Sequence, residues 1–221
     1  MKRSLKELIL RVIILLAGLT VAHLGVTLFL LADLGADPFN VMIQGIFRTI
    51  SKLVSFSLLT HGNVHVCICF IIIIVLLLTD RSYVKIGTLL CMFCGGPIID
   101  FFTLLLTPLF TALPYMQFKI IMIAVGCAIL AFGMTIVIKS DAGTGPNDLV
   151  AVVIADKLKK RFGIVRVITD ICFVGIGFAL GGQIGIGTVI CAFLVGPVAS
   201  LFMPLSEKTV NGIMLKLLKN S

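Results

Sequence analysis

The sequence predicts an all-α integral membrane protein of two tandem homologous repeats, with six spanning helices and two short proline-led helices, so six to eight spans. Three observations predict it. The 221 residues are 59% hydrophobic and 13% charged, with a mean hydropathy of +1.20, whereas soluble domains carry about 25% charge. The apolar residues fall into long runs of bilayer length. A polar, helix-breaking signal also occurs twice, as LADLGADPFNV at 31–41 and KSDAGTGPNDL at 139–149.

The chain opens with MKRSLKELILR, a basic flank ahead of the apolar run 12–32 and without a small-residue cleavage site. A retained first span is expected, not a cleaved signal peptide. The segment 38–59 is led by a proline and carries Arg48 and Lys52. The run 64–79 lies near the short limit for a span, about 17 residues, while 86–107 and 120–138 are long enough. A second proline-led segment, 146–156, would make ~16 Å of helix against ~30 Å of hydrocarbon. It reads as a half-helix or an interfacial helix. Runs at 164–180 and 184–205 complete the set, and Tyr83 and Tyr115 fall beside helix ends, where amphipathic rings prefer to sit.

The strongest signal is an internal repeat. At an offset of 108, Gly18, Gly25, Asp33, Gly35, Pro38 and Asn40 fall on Gly126, Gly133, Asp141, Gly143, Pro146 and Asp148. At an offset of 100, Gly87, Thr88, Cys91, Gly96 and Pro97 fall on Gly187, Thr188, Cys191, Gly196 and Pro197. Each half then holds a long helix, a polar turn, a short proline-led helix, a middle helix, and a last helix with a Gly-Pro break. The organisation expected is a first membrane repeat over 1–107, a second over 108–206, and a basic cytoplasmic tail over 207–221.

The turns Asp33-Leu-Gly-Ala-Asp-Pro38 and Asp141-Ala-Gly-Thr-Gly-Pro146 follow long first helices, and an Ile-Gly-Thr entry and Gly-Pro break mark each last helix. In these features the chain resembles the YczE/YitT group of bacterial multi-pass membrane proteins, over essentially its whole length. The resemblance implies the fold and leaves the substrate open.

Cytoplasmic loops collect Lys and Arg. With six spans, all of the eighteen basic residues except Arg48, Lys52 and Lys119 lie inside; with eight, all except Arg81, Lys85 and Lys139 do. Either path puts both termini in the cytoplasm at the cell membrane. Six spans make the repeats inverted, as in many secondary transporters, and eight make them parallel. The shortness of 146–156 favours six.

Asp37-Pro38 and Gly145-Pro146 read as N-caps followed by proline at the first helical position. Gly35 and Gly143 supply turn geometry, while Asn40 and Asp148 are placed to bond back to the turn. Each half so presents a helix N-terminus at a polar break, a feature that binds anionic groups in transporters with broken helices. The candidate solute or ion site therefore takes in Asp33, Gly35, Asp37, Asn40, Asp141, Gly143, Thr144, Asn147 and Asp148. Asp33 and Asp141 could orient the turns or hold a cation, and the plainer reading of both turns is a capped interfacial loop.

A second cluster lies in RVITDIC, where Arg166 and Asp170, four apart, share a helix face with Thr169 nearby. Arg166 reads as a counter-ion or a clamp for a substrate carboxylate, against a structural ion pair or an arginine snorkelling to the interface. Its repeat partner is His65, and Cys69 stands opposite Asp170. Asp100, three residues after Pro97, reads as a further buried acid, so proton coupling through Asp100 or Asp170 is expected.

His61 and His65 are four apart but lack the HExxH glutamate and a third ligand, so no metal is expected. The seven cysteines sit in apolar runs and read as packing residues. His23 reads as a helix–helix hydrogen bond. A net charge of +8 is explained by insertion and anionic lipid, not nucleic acid. Neither a P-loop nor a G-x-S-x-G motif is present, and no cofactor is implied. The expectation is a non-enzymatic secondary transporter or permease for a small solute, with a proton or cation as a coupling partner and a homo-oligomer allowed. An accessory or substrate-binding membrane subunit is the alternative.

Overall fold

Helix ends set the architecture, and they are set by the two polar turns. Asp33 and Asp141 take left-handed backbone, with φ of 52° and 56°, and each ends a long helix by donating its N–H to the carbonyl three residues back. Gly35 and Gly143 follow at φ 128° and 136°, where a side chain would be strained and would strike Thr188 and Gly185 or the Thr88 backbone. The computed structural model describes residues 4–53, 61–113 and 115–219. The end of the predicted 38–59 segment and the first three residues of the basic flank lie outside them.

Among the described residues the regular structure is helical. In chain order the helices are α1 (Leu5–Ala32), α2 (Pro38–Leu53), α3 (His61–Thr79), α4 (Ile86–Ala112), α5 (Met116–Ser140), α6 (Pro146–Leu158), α7 (Phe162–Ala179) and α8 (Ile186–Lys219). Six of them, α1, α3, α4, α5, α7 and α8, are long and apolar enough to cross a membrane. With 16 and 13 residues, α2 and α6 reach only ~24 and ~20 Å, short of the ~30 Å hydrocarbon layer.

Two expectations change. The Gly-Pro breaks do not interrupt the last helices: α4 runs through Pro97 and α8 through Pro197, since a single proline removes one N–H and its neighbours carry the helix on. The residues of the predicted tail continue α8 to Lys219, because Val210 and Met214 are buried against Ile14 of α1.

The centre is an antiparallel α1–α5 pair built on small residues. A Cβ at Gly25 would lie 2.4 Å from the Gly126 carbonyl oxygen, and one at Gly133 would lie 2.2 Å from the Ala22 nitrogen. Such close approach is how helices associate where lipid offers no hydrophobic drive. The turns are tied crosswise to the last helices: Gly187 N–H donates to Leu34 O at 2.8 Å, and Gly87 N–H donates to Ala142 O at 2.9 Å. Thr188 Oγ1 also donates to Ala36 O at 2.6 Å. The turns thus lie at opposite ends of the central pair, since Arg11 at the start of α1 donates to Ser140 O while Asp33 sits 22 residues on, ~33 Å of helix.

Candidate functional site

The proline at the first position of α6 lets the helix start below the second turn, with Gly145 extended at φ −59° and ψ 146° before it. Asp148 then falls in the first helical turn. It does not bond back to the turn as the sequence suggested. Instead Asp148 Oδ1 accepts from Arg166 Nη1 at 2.5 Å, while Arg166 Nε donates to Asp170 Oδ2 at 2.9 Å along α7. The Arg166 guanidinium offers the Asp148 carboxylate a charged donor, which the backbone N–H groups of the turn do not. Arg166 is 6% exposed and Asp170 is 0% exposed, so Arg166 is locked in the bundle and does not snorkel. Asp170 Oδ1 has no hydrogen-bond partner among the described residues.

Further groups surround this trio. Asp37 caps α2, accepting from Asn40 N–H at 3.2 Å and from Asn40 Nδ2 at 2.6 Å. Asn40 Oδ1 faces His65 Nδ1 at 3.4 Å. Asp37 and Asp148 both lie within electrostatic reach of Asp170, and His23 within reach of Asp148. His23 donates Nδ1–H to Leu19 O at 2.8 Å within its own helix, not to a neighbour as expected, because an acceptor stands one turn below it. Its Nε2 points at α4, where a Cβ on Gly95 would lie 2.7 Å away.

A cavity of about 530 Å³ opens at the second turn, lined by Ser82, Tyr83, Lys85, Asp141, Thr144 and Asp156 among others. Lys85 Nζ bonds the Asp141 carboxylate and its carbonyl, with Arg11 3.8 Å from the same carboxylate. Tyr83 donates to Asp156 Oδ2 at 3.2 Å; partial desolvation, with Asp156 beside it, pushes the phenol above its ordinary range. At the same rim Asp80 is held below the usual carboxylate range by the Ser82 hydroxyl and N–H.

With that geometry in place, a family model can be laid over the chain. The model of a family of unknown function, DUF6198, matches residues 9–204. The chain belongs to this family. It is also 28% identical over 207 residues to the uncharacterized membrane protein YczE of Bacillus subtilis, covering 93% of this chain and 91% of that protein. It is 27% identical to the uncharacterized protein YyaS of Bacillus subtilis over 86% of this chain and 91% of the other. An uncharacterized protein of Haemophilus influenzae is 28% identical over 86% and 82%. No solved structure matches the chain significantly. The name of YczE agrees with the membrane reading, and none of the three names a solute.

In this DUF6198 member the sequence-derived candidates divide into three places. Asp148, Arg166 and Asp170 come together, with Asp37 and Asn40 nearby. Asp33 and Gly35 stay at one end of the bundle and Asp141 and Gly143 at the other, so the turns themselves do not meet. Thr144 is buried in the cavity wall, and its Oγ1 has no partner among the described residues. Asn147 is half-buried beside Gly145. Thr169 is buried but satisfies itself on Val165 O and Arg166 O, leaving little to offer a ligand. Asp100 is not the buried acid expected. It is exposed on the outer face of α4, next to Thr103, Leu104, Thr107 and Pro108, because α4 turns its other face to α1. Lys85 was missed by sequence reasoning, although it directly precedes the Ile-Gly-Thr entry that the second turn docks on.

Proposed function

We propose that this protein is a secondary transporter or permease for a small solute, whose site is the interior cluster of Asp148, Arg166 and Asp170. The observation that carries it is an arginine 6% exposed, held between a short helix and a span by two acids, one of them with a carboxylate oxygen left over. Ionisable groups at this depth are costly and mark solute or ion pathways. The short helices α2 and α6, each beginning at a polar turn, supply the discontinuous elements around which carriers of this kind move. We read the halves as inverted repeats, in which three spans and one half-helix each form a unit. Arg11, Lys85 and Lys139 gather at one end of the bundle, and we assign that end to the cytoplasm, with both termini, at the cell membrane. The cavity at the second turn is then the cytoplasmic approach. The reading is non-enzymatic, with no nucleic-acid role.

A metabolite-library thermal-shift screen on the detergent-purified protein tests the site. Hits should be lost in Asp148→Asn and kept in Asp141→Asn, whose side chain lies at the rim. Hits that survive Asp148→Asn would overturn the assignment. A second reading, an accessory subunit or homo-oligomer, draws on Asp100, an acid exposed on a span surface where a protein neighbour would cover it. Recovery of a stable complex with an ATPase, without uptake by the chain alone, would favour that reading.

A further inference from the structure

The sign of the interior charge carries one step more. Helix N-termini attract anions, yet here both are already met by acids of their own: Asp37 caps α2, and Asp148 stands in the first turn of α6. Arg166 is engaged through Nε and Nη1 by Asp170 and Asp148. An incoming carboxylate or phosphate would meet Asp37, Asp148 and Asp170 against a single guanidinium.

Two acceptors beside this cluster are left unfilled. Asp170 Oδ1 is buried and unpartnered among the described residues. Neutral His23 protonates Nδ1 to reach Leu19 O, which leaves Nε2 as an acceptor. The titratable groups that act on Asp170 are Asp37 of α2, Asp148 of α6, Arg166 of α7 and Cys191 of α8; His23 of α1 and Cys91 of α4 lie within reach of Asp148, and His65 of α3 within reach of Asp37. Three carboxyl groups, those of Asp37, Asp148 and Asp170, stand around the one guanidinium of Arg166. A cluster of one buried and two half-buried carboxyl groups around one guanidinium is met by a cation that brings N–H donors.

We propose that the interior site takes a small organic cation of the ammonium class, whose N–H groups reach Asp170 Oδ1 while its charge is shared with Asp148 and Asp37. This rests on the cluster being the solute site, not on how transport is driven. It replaces the expectation that Arg166 clamps a substrate carboxylate.

The chain contains no tryptophan, so Phe173→Trp, beside Phe39 and one turn from Asp170, gives a single fluorescent reporter. The reporter protein in liposomes is titrated with methylammonium chloride, sodium chloride and sodium acetate at constant ionic strength and pH. The same salts are compared by thermal unfolding of the unaltered chain, so the answer does not depend on the reporter. The expected result is a saturable response to methylammonium alone, weakened about ten-fold or more in Asp170→Asn and restored toward normal in Asp170→Glu. A saturable acetate response that needs Arg166, an equal response to sodium, or no saturable methylammonium response would each overturn the proposal. Methylammonium binding without solute exchange would keep the cation site and sink the carrier reading. Exchange of an anionic solute that depends on Asp148 would do the reverse.

Discussion

The middle helices α3 and α7 are placed in correspondence by the repeat read from the sequence, yet they are built into the molecule differently. On α7, Gly177 lies against the Val41 and Met42 backbone of α2, and Gly163 against Gly196 of α8, where Ser200 Oγ also accepts the Gly163 N–H at 3.0 Å. The far end is closed further by Arg48 and Thr49 of α2, which donate to Gly181 O and Leu180 O. On α3 the corresponding stretch is rich in Ile and Leu, with Phe70, Ile71, Ile74 and Leu78 exposed. It rests on α2, where Val64 and Cys69 cluster with Phe39, Met42 and Ile43, and on α6 through Leu76 against Leu149 and Val153; among the described residues no packing comparable to α7 on α8 joins it to α4. The cavity lies on that looser side. Small residues therefore decide which side of the bundle is sealed. The charge pattern follows the same division: Arg166 faces Asp148 at 2.5 Å, whereas their repeat counterparts, His65 and Asn40, face each other at 3.4 Å.

Three pairs of substitutions break or sharpen that contrast. Arg166→Leu leaves Asp148 and Asp170 as unpaired interior acids and should cost about 3–5 kcal/mol, against about 1 kcal/mol or less for His65→Leu, read by equilibrium unfolding in bicelles. Gly177→Ala puts a Cβ 2.5 Å from Val41 backbone atoms and should cost about 1–3 kcal/mol; Gly175→Ala, which meets open space, should cost nothing. Asp37→Ala removes the α2 cap at about 1 kcal/mol, whereas Gly145→Ser adds one to α6 and should gain a few tenths of a kcal/mol.

The smallest effect concerns the loop after α3. Asp80 is depressed by Ser82, so its contribution is present above the unfolded carboxylate pKa and is lost as pH falls through the lower folded value. Ser82→Ala should raise the Asp80 titration toward the ordinary range in an NMR pH series. A titration that does not move would assign the depression elsewhere.

The helix inventory was legible because span length and composition fix it, and the turns were legible because Gly and Pro carry specific backbone geometry. The Arg166–Asp170 pair followed from spacing along one helix. What sequence could not give was the partner across helices: Asp148 looks like a capping residue until α7 places a guanidinium beside it. Asp100 was misread for the converse reason, since hydropathy shows that α4 spans but not which face meets lipid. Paired positions share a conformation, as Asp33 and Asp141 do, while their surroundings differ, and only packing decides that.

The central claim is that Asp148 and Arg166 form one interior unit joining the half-helix α6 to the span α7. A double-mutant cycle on unfolding free energy, with Asp148→Asn, Arg166→Gln and both together, tests it most directly. The account predicts a coupling of at least about 1.5 kcal/mol between the two sites. Additivity within about 0.5 kcal/mol would contradict it.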